Sequence, residues 1–320
     1  MTRGKRIVTL DLRSDEAVEG LLALVEAADV LIEGFRPGVA ERLGLGPAEC
    51  RARNERLIYA RLTGWGQSGP LALSPGHDIN YLALTGVLHA IGRAGQVPVP
   101  PLNLLGDFGG GSMLALVGIL AGLQERQVTG RGQVIDAAIV DGVTLLAQMI
   151  WALRGAGVWS DERESNLLDG GAPFYDTYAC SDGGFVAVGA VEPQFFAGLI
   201  AGLGLSADEI GSQHDRDRWP EMAATIAARF ATRTRAQWEA EFDGRVACVT
   251  PVLSFAEAAA HPQLTSRNTL IGSDSRRQAA PAPRFGGSTS QSVAGPARAV
   301  AADLSEIAST WISPPLRKAP

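Results

Sequence analysis

The sequence predicts an α/β protein with a parallel sheet in a large domain, followed by a smaller α+β domain. Residues 7–32 alternate a strand pattern, a helical pattern and a second strand pattern, which is typical of a βαβ unit. A further apolar run at 57–62 ends in the glycine-rich stretch 63–70, and open parallel sheets bind ligands at such strand ends. Two strand patterns flank Asp182-Gly183-Gly184 much later in the chain, and they begin the second domain.

In chain order, we expect a strand at Ile7–Leu12, a helix at Asp15–Ala28, and strands at Val30–Ile32 and Leu57–Leu62. Helical spacing then predicts helices at Ser112–Gln124 and Val134–Leu153, separated by a break at Gly130–Gly132. The smaller domain is predicted from strands at Phe174–Tyr178 and Phe185–Val188 and from helices at Pro193–Leu203, Trp219–Ala231 and Arg235–Phe242. A Ser, Gly, Pro and Ala-rich linker, Ser273–Pro296, leads to a final helix near Leu304–Trp311.

Composition excludes several classes of protein. The 320 residues are 46% hydrophobic, which is enough for a large core, and the net charge of -6 gives no basic surface for nucleic acid or a membrane. The apolar run Met113 to Leu123 is too short for a bilayer span, so we expect no membrane partner. The three cysteines, Cys50, Cys180 and Cys248, form no pair with metal-ligand spacing, which predicts no metal site and favours a reducing cytoplasm.

Two candidate proton-transfer residues lie in glycine-flanked, loop-like settings. His77 is one of four histidines and is surrounded by turn-forming residues, and Asp107 lies in the stretch Gly106–Gly111. Each also has a structural interpretation. A histidine in a turn often only bonds the backbone, and Asp107 is also suited to cap a helix that starts near Ser112.

Several motifs in the same order along the chain resemble the α-methylacyl-CoA racemase branch of the class III CoA-transferase superfamily. They are Ile-Glu-Gly-Phe-Arg-Pro-Gly at 32–38, Arg-Leu-Gly-Leu-Gly at 42–46, Thr-Gly-Trp-Gly-Gln-Ser-Gly-Pro at 63–70, Gly-His-Asp-Ile-Asn-Tyr at 76–81, Gly-Asp-Phe-Gly-Gly-Gly at 106–111, and the stretches 170–178 and 186–195. The resemblance covers most of the chain.

The resemblance implies the class III CoA-transferase fold, with a Rossmann-like large domain, and an interlocked homodimer. The implied boundaries are 1–138 for the large CoA-binding domain, 139–175 for a linker, 176–260 for the small domain, 261–280 for a second linker and 281–320 for a return to the large domain. Relatives begin with a further βα unit and strand, so we expect that the chain lacks this segment or that Met1 is not the native start.

The implied activity is interconversion of the (R) and (S) epimers of 2-methyl-branched acyl-CoA thioesters by 1,1-proton transfer. His77 and Asp107 would be the two acid/base groups, and Glu192, contributed by the other subunit, would orient the histidine. The enolate oxygen would be stabilised by backbone N–H groups of Phe108–Gly111 in a turn ahead of the Ser112 helix. No cofactor or metal is implied, since CoA is part of the substrate.

The resemblance also assigns residues to CoA. Arg36 and Arg42 are the expected phosphate ligands because guanidinium groups bind phosphate in a bidentate manner. The full set implied to bind CoA is Leu10, Asp11, Leu12, Arg13, Gly34, Phe35, Arg36, Arg42, Gly76, Asp78, Ile79, Asn80 and Tyr81. Both arginines are equally compatible with ordinary surface positions, and Glu192 with a first-turn residue of a helix.

Two other functions remain open at this point. A class III CoA-transferase would use Asp107 as a nucleophile that forms an acyl anhydride and exchanges CoA. Its members usually carry tyrosine at the position of His77, so the histidine favours the racemase. The third possibility is an inactive acyl-CoA-binding paralogue.

Overall fold

The computed structural model describes residues 5–273, 277–286, 300, 301 and 303–312. The chain forms two compact units: unit 1 comprises Met1–Val87, Pro101–Gln148 and Asn268–Pro320, and unit 2 comprises Leu88–Pro100 and Met149–Arg267. This division differs from the predicted boundaries because residues 88–100 belong to unit 2. Arg163 explains this placement, since its guanidinium donates to the carbonyls of His89, Arg93 and Gln96. Residues 139–148, predicted as linker, belong to unit 1.

The central sheet of unit 1 has three parallel strands in the order β2-β3-β4. They are β2 (Val30–Glu33), β3 (Ile58–Thr63) and β4 (Val134–Ala138). This confirms the predicted α/β class with a parallel sheet. The strand predicted at Ile7–Leu12 is wrong beyond Ile7. Within this stretch only β1 (Arg6–Ile7) is a strand, and it pairs in parallel with β10 (Val300–Ala301). Residues 8–11 are not in a strand, and the chain turns directly after them, where the N–H of Ser14 donates to the Asp11 carbonyl at 2.9 Å.

The helices of unit 1 pack against this sheet and against one another. Helix α1 (Asp15–Ala27) buries Leu22 and Val25 against a cluster that includes Leu57 and Tyr59. The others are α2 (Val39–Arg42), α3 (Pro47–Arg53), α4 (Asp78–Leu84), a π-helix (Leu104–Met113), α5 (Leu114–Thr129), α6 (Ile139–Leu146) and, in the last part of the chain, α14 (Leu304–Ile312).

Two helix predictions in this region are wrong in extent. Residues 134–138 form a strand and not the start of a helix, because Val134 to Ala138 pair with Tyr59 to Thr63 along the edge of the sheet. An apolar run of this length fits either a strand or a buried helix by periodicity, and its strand neighbour decides. The helix predicted from Ser112 begins at Leu104, as the π-helix that continues into α5.

The π-helix and α5 together form one helix, Leu104–Thr129, that is long and apolar enough to cross a membrane. The apolar run was predicted to be too short for this, and the structure corrects its length. The core helix of a soluble protein meets the same criterion of length and composition. Only 28% of the apolar 18-residue stretch within this helix is buried in the chain.

Unit 2 contains the antiparallel sheet β5-β6-β7, formed by Tyr175–Ala179, Phe185–Gly189 and Val249–Val252. Its core includes Phe174, Leu199, Phe230 and Trp238. The helices are α7 (Gln148–Gly155), α8 (Pro193–Leu203), α9 (Ala207–Ile210), a 3₁₀ turn (Arg216–Arg218), α10 (Trp219–Phe230), α11 (Arg235–Phe242), α12 (Phe255–Ala258) and α13 (Pro262–Ser266). The predicted smaller α+β unit is confirmed.

The predicted linker Ser273–Pro296 lies partly outside the described residues. Its described part contains β9 (Gln278–Ala279), which pairs antiparallel with β8 (Leu270–Ile271). The final helix, predicted near Leu304–Trp311, ends one residue later, at Ile312.

Candidate active site

A cleft of about 630 Å³ opens in unit 1 where the parallel strands end. It is lined by residues that follow β2, end β3 or follow β4, by the segment between β3 and the first turns of α4, and by Asp107. The lining residues are Gly34, Phe35, Arg36, Pro37, Leu62, Thr63, Gly64, Trp65, Ala72, Ser74, Pro75, Gly76, His77, Asn80, Tyr81, Asp107 and Ile139. The cleft therefore lies at the carboxyl edge of the sheet, where α/β proteins bind ligands.

His77 lies in the cleft wall directly before α4. Its backbone N–H donates to Asn80 Oδ1 at 3.0 Å, and its carbonyl accepts the N–H of Asn80 at 2.8 Å. These bonds hold the backbone of residue 77 at the helix start, while the side chain is exposed to the cleft. An imidazole in this position is accessible to a bound molecule.

The loop before His77 is held by Tyr81. Its hydroxyl donates to the Gly76 carbonyl at 2.5 Å, and its ring packs edge-on against Trp65 with the centroids 4.8 Å apart. Burial, and then the charges of Asp107 and Asp78, raise the pKa of Tyr81, so its hydroxyl stays a donor. A Cβ at Gly64 would lie 2.0 Å from the Tyr81 ring, so only glycine permits this packing.

Asp107 reaches the same cleft from the π-helix. It is half-buried, and its Oδ2 accepts from Asn103 Nδ2 at 3.3 Å. Its backbone N–H donates to Asp78 Oδ1 at 2.8 Å. Asp78 was predicted to contact CoA, but its side chain is buried, does not line the cleft and accepts the backbone N–H of Asp107.

The glycines around Asp107 allow close packing of helices. Phe108–Gly111 were predicted to form a turn that donates to an oxyanion, but these residues lie inside the π-helix, where backbone N–H groups bond to preceding carbonyls. A Cβ at Gly142 on α6 would lie 1.8 Å from the Gly110 carbonyl oxygen, and one at Gly106 would lie 2.3 Å from Asp78 Oδ1. The motif therefore brings the π-helix against α6 and Asp78.

Arg36 is a cation in the cleft wall, and its loop is attached to a buried ion pair. Glu33 Oε2 accepts the N–H of Phe35 at 2.6 Å, and Glu33 Oε1 accepts from Arg61 Nε at 2.9 Å. Glu33 and Arg61 were not among the site residues predicted from the sequence. Their signal was a charged residue near the end of each of two neighbouring strands, since parallel pairing places Glu33 beside Arg61.

The remaining predicted residues lie elsewhere. Leu10, Asp11, Leu12 and Arg13 form the turn before α1, where Arg13 Nε bonds Asp11 Oδ1 at 2.9 Å, and they do not line the cleft. Arg42 and Ile79 are exposed residues of α2 and α4 that also lie outside the lining. Glu192 belongs to unit 2, where it is exposed and immediately precedes α8.

The described residues contain no group of three or more His, Cys, Asp and Glu side chains that could hold a metal ion. The cleft offers an imidazole, a carboxylate and a guanidinium from three separate segments. Such a set can move protons at one part of a ligand and bind an anion at another.

Comparison with known proteins identifies the family. Residues 1–300 match CoA-transferase family III. The chain belongs to this family. It is 50% identical to mouse α-methylacyl-CoA racemase over 283 residues, which cover 88% of this chain and 74% of the mouse protein. It is also 50% identical to the human α-methylacyl-CoA racemase over 272 residues, covering 85% of this chain and 71% of the human one.

The structural comparison agrees with this assignment. The crystal structure of a CaiB/BaiF family protein from Brucella suis superposes with a TM-score of 0.76 at 26% identity, covering 89% of this chain and 76% of that protein. The class III CoA-transferase fold predicted from the sequence motifs is thereby confirmed.

Proposed function

We propose that this family III protein is an α-methylacyl-CoA racemase that interconverts (R)- and (S)-2-methylacyl-CoA thioesters. One observation carries the proposal: His77 and Asp107, from segments far apart in the sequence, line the same cleft at the carboxyl edge of the sheet. The 50% identity to the mouse and human racemases over most of the chain supports the same activity.

The chemistry requires two groups because the proton must leave one face of the α-carbon and return to the other. In one direction, a basic group on one face takes the α-proton, and the electron pair of the C–H bond moves into the thioester as an enolate. An acidic group on the opposite face then delivers a proton to the same carbon. We assign these two roles to His77 and Asp107, and the roles exchange in the reverse direction. The proposed proton-transfer steps involve no metal or redox cofactor.

CoA binding is assigned to the part of the cleft around Arg36. The guanidinium matches phosphate oxygens, and Gly34, Phe35 and Pro37 form the adjoining wall. Arg42 and residues 10–13 remain proposed CoA contacts at a distance from the reacting carbon. The three cysteines are free thiols, which fits the proposed cytoplasmic location.

A homodimer is part of the proposal and is supported by an exposed apolar stripe on unit 1. Met113, Leu116, Val117 and Leu120 follow helical spacing and are 57%, 48%, 58% and 65% exposed. An exposed apolar stripe on a helix is typical of an interaction surface, and a second copy of this chain is the partner we propose. In this dimer Glu192 of the partner subunit would orient His77.

The dimer can be tested by changing the stripe. Val117→Glu/Leu120→Glu is expected to sediment as a monomer at concentrations where the wild type is a dimer, and to lose activity with it. Val97→Glu, at an exposed valine in unit 2, is the matched control and should leave the dimer intact. A wild type that sediments as a monomer, or an active monomeric variant, would contradict the proposal.

The activity is tested by giving the purified protein a single epimer of a 2-methylacyl-CoA and analysing the released acid on a chiral column. We expect both epimers to form.

The alternative, CoA transfer, is favoured by family membership and by a carboxylate in the cleft that could act as a nucleophile. It predicts instead that the starting epimer stays intact and that CoA moves to an added carboxylic acid.

A further inference from the structure

Arg61 is a buried cation that bonds two carboxylates. One is Glu33, directly before the segment 34–42, and the other is Glu41, within that segment. Arg61 lies on the middle strand β3 and is 7% exposed. Its Nε donates to Glu33 at 2.9 Å, and one terminal nitrogen donates to Glu41 at 2.8 Å. The other terminal nitrogen donates to the second oxygen of Glu41 at 3.3 Å. One guanidinium thus binds two carboxylates, Glu33 at the end of the neighbouring strand β2 and Glu41 on α2.

The two carboxylates lie on either side of the cleft loop. Glu33 ends β2 and is itself 7% exposed, and its second oxygen accepts the N–H of Phe35 at 2.6 Å. Glu41 lies on α2, directly before Arg42. A chain of hydrogen bonds therefore runs from Arg61 to the backbone of the loop that carries Arg36, and a second set of bonds fixes the helix that follows this loop.

Stability alone is a weak reason for these charges. Removing a guanidinium and a carboxylate from water carries a large desolvation cost, and a well-packed apolar pair of similar volume often stabilises a protein equally well. Charge does offer directional bonds, since a planar guanidinium can hold one carboxylate through Nε and another through its terminal nitrogens. The directional bonds of Arg61 therefore favour one backbone conformation of the segment 34–42.

We propose that Arg61 and Glu33 are positioning residues that hold the segment 34–42 in the conformation that binds the phosphates of CoA. This inference rests on the proposed function, because it takes a CoA thioester as the ligand of the cleft. Neither side chain lines the cleft, so both act through Phe35, Arg36 and Glu41.

The proposal predicts a specific kinetic pattern. The CoA phosphates do not react, so weaker binding of these phosphates by the protein should reduce the affinity for substrate and transition state alike. KM should rise while kcat stays nearly constant. Residues that orient His77 or Asp107 would change kcat instead.

The test compares Arg61→Lys and Glu33→Gln with Arg126→Lys. Arg126 is a matched control because it is also 7% exposed, lies in unit 1 and bonds a carboxylate, Asp29, at 2.8 Å. It bonds the residues that precede β2 and β3, at the opposite end of the strands from the cleft. In Arg61→Lys and Arg126→Lys the lysine keeps the positive charge but cannot reproduce the planar set of guanidinium hydrogen bonds.

Affinity for CoA itself is measured by calorimetry, and KM and kcat are measured with the CoA thioester and with the corresponding pantetheine thioester, which lacks the nucleotide phosphates. All measurements are made well below the lowest melting temperature of the set. We expect Arg61→Lys to weaken CoA binding and raise KM about tenfold, with kcat within about twofold. Glu33→Gln should show the same pattern more weakly, Arg126→Lys should match the wild type, and the pantetheine thioester should be affected little by any of them.

Unchanged CoA affinity in Arg61→Lys would overturn the inference, as would an equal loss in Arg126→Lys or with the pantetheine thioester. The calorimetric measurement does not depend on turnover. If the wild type binds CoA without forming epimers, and Arg61→Lys still weakens that binding, the proposed racemase activity fails and the positioning role stands.

Discussion

The backbone N–H of Asp107 donates to the buried carboxylate of Asp78 at 2.8 Å. Asp78 directly follows His77 in the chain, so one hydrogen bond joins the two segments that carry the proposed acid/base groups. The relative position of those groups therefore depends on a residue that does not line the cleft.

We predict that Asp78→Ala lowers kcat for epimerisation by about 100-fold, because a displacement of about 1 Å at a reacting group costs that much. Asp78→Asn keeps an oxygen that can accept the Asp107 N–H, so its loss should be no more than about tenfold. Steady-state kinetics on both epimers measure the effect. Asp182→Ala removes a carboxylate that accepts two backbone N–H groups in unit 2 and should leave kcat unchanged. Equal rates for Asp78→Ala and wild type would contradict the positioning role.

The contact between the π-helix and α6 gives a stability prediction. Because a Cβ at Gly142 would meet the Gly110 carbonyl oxygen at 1.8 Å, Gly142→Ala should lower the free energy of unfolding by about 3 kcal/mol. Gly155→Ala is the matched control, since its Cβ would meet no atom within 4 Å on helix α7. It should be neutral or slightly stabilising. Denaturant titration measures both, and equal stability of the two variants would refute the packing argument.

The surface ion pair of Arg235 and Glu257 gives a pH prediction. The hydrogen bond from Arg235, together with those from the backbone and hydroxyl of Ser254, lowers the pKa of Glu257 from 4.5 to about 2. A lowered pKa in the folded state stabilises the protein above the unfolded pKa, and the gain is lost as pH falls through the folded value. Glu257→Gln should therefore be less stable than wild type near neutral pH, by a salt-dependent amount that shrinks from about pH 4.5 towards pH 2. A constant difference over this range would contradict it.

Thiol reactivity should separate the three cysteines. Burial raises the pKa of Cys50 to about 11 and also raises the pKa of Cys180, so both side chains stay protonated as well as shielded. Cys248 is exposed. Iodoacetamide at about pH 8 should modify Cys248 first, and the other two only after denaturation. Mass spectrometry of the peptides identifies the site, and early labelling of Cys50 would contradict the described burial.

Much of the fold could be predicted because local patterns agree with their tertiary environment. The helices Pro193–Leu203 and Arg235–Phe242 have the predicted bounds, since a proline at N1 and a Thr234 cap mark their starts. Residues 134–138 were wrongly predicted as the start of a helix, because their strand depends on pairing with β3, which no local pattern shows. The length of the π-helix was missed for a related reason, since its glycines are explained by α6 and not by a local turn.

The candidate site shows the same division. His77, Asp107 and Arg36 were identified from motifs, and they line one cleft. The environment of Asp78 and the bonds of Arg61 depend on contacts between distant segments, which no spacing in the sequence records. For Glu33 and Arg61 the sequence contains only a weak signal, a charged residue near the end of each of two neighbouring strands.

The central claim is that His77 and Asp107 are the two acid/base groups. It is tested most directly by NMR of α-hydrogen exchange in D2O, starting separately from each epimer, for wild type, His77→Gln and Asp107→Asn. We predict that wild type places deuterium in both epimers, and that each variant loses epimerisation while keeping exchange with one epimer only, a different one in each case. Epimerisation at the wild-type rate in either variant would contradict the account.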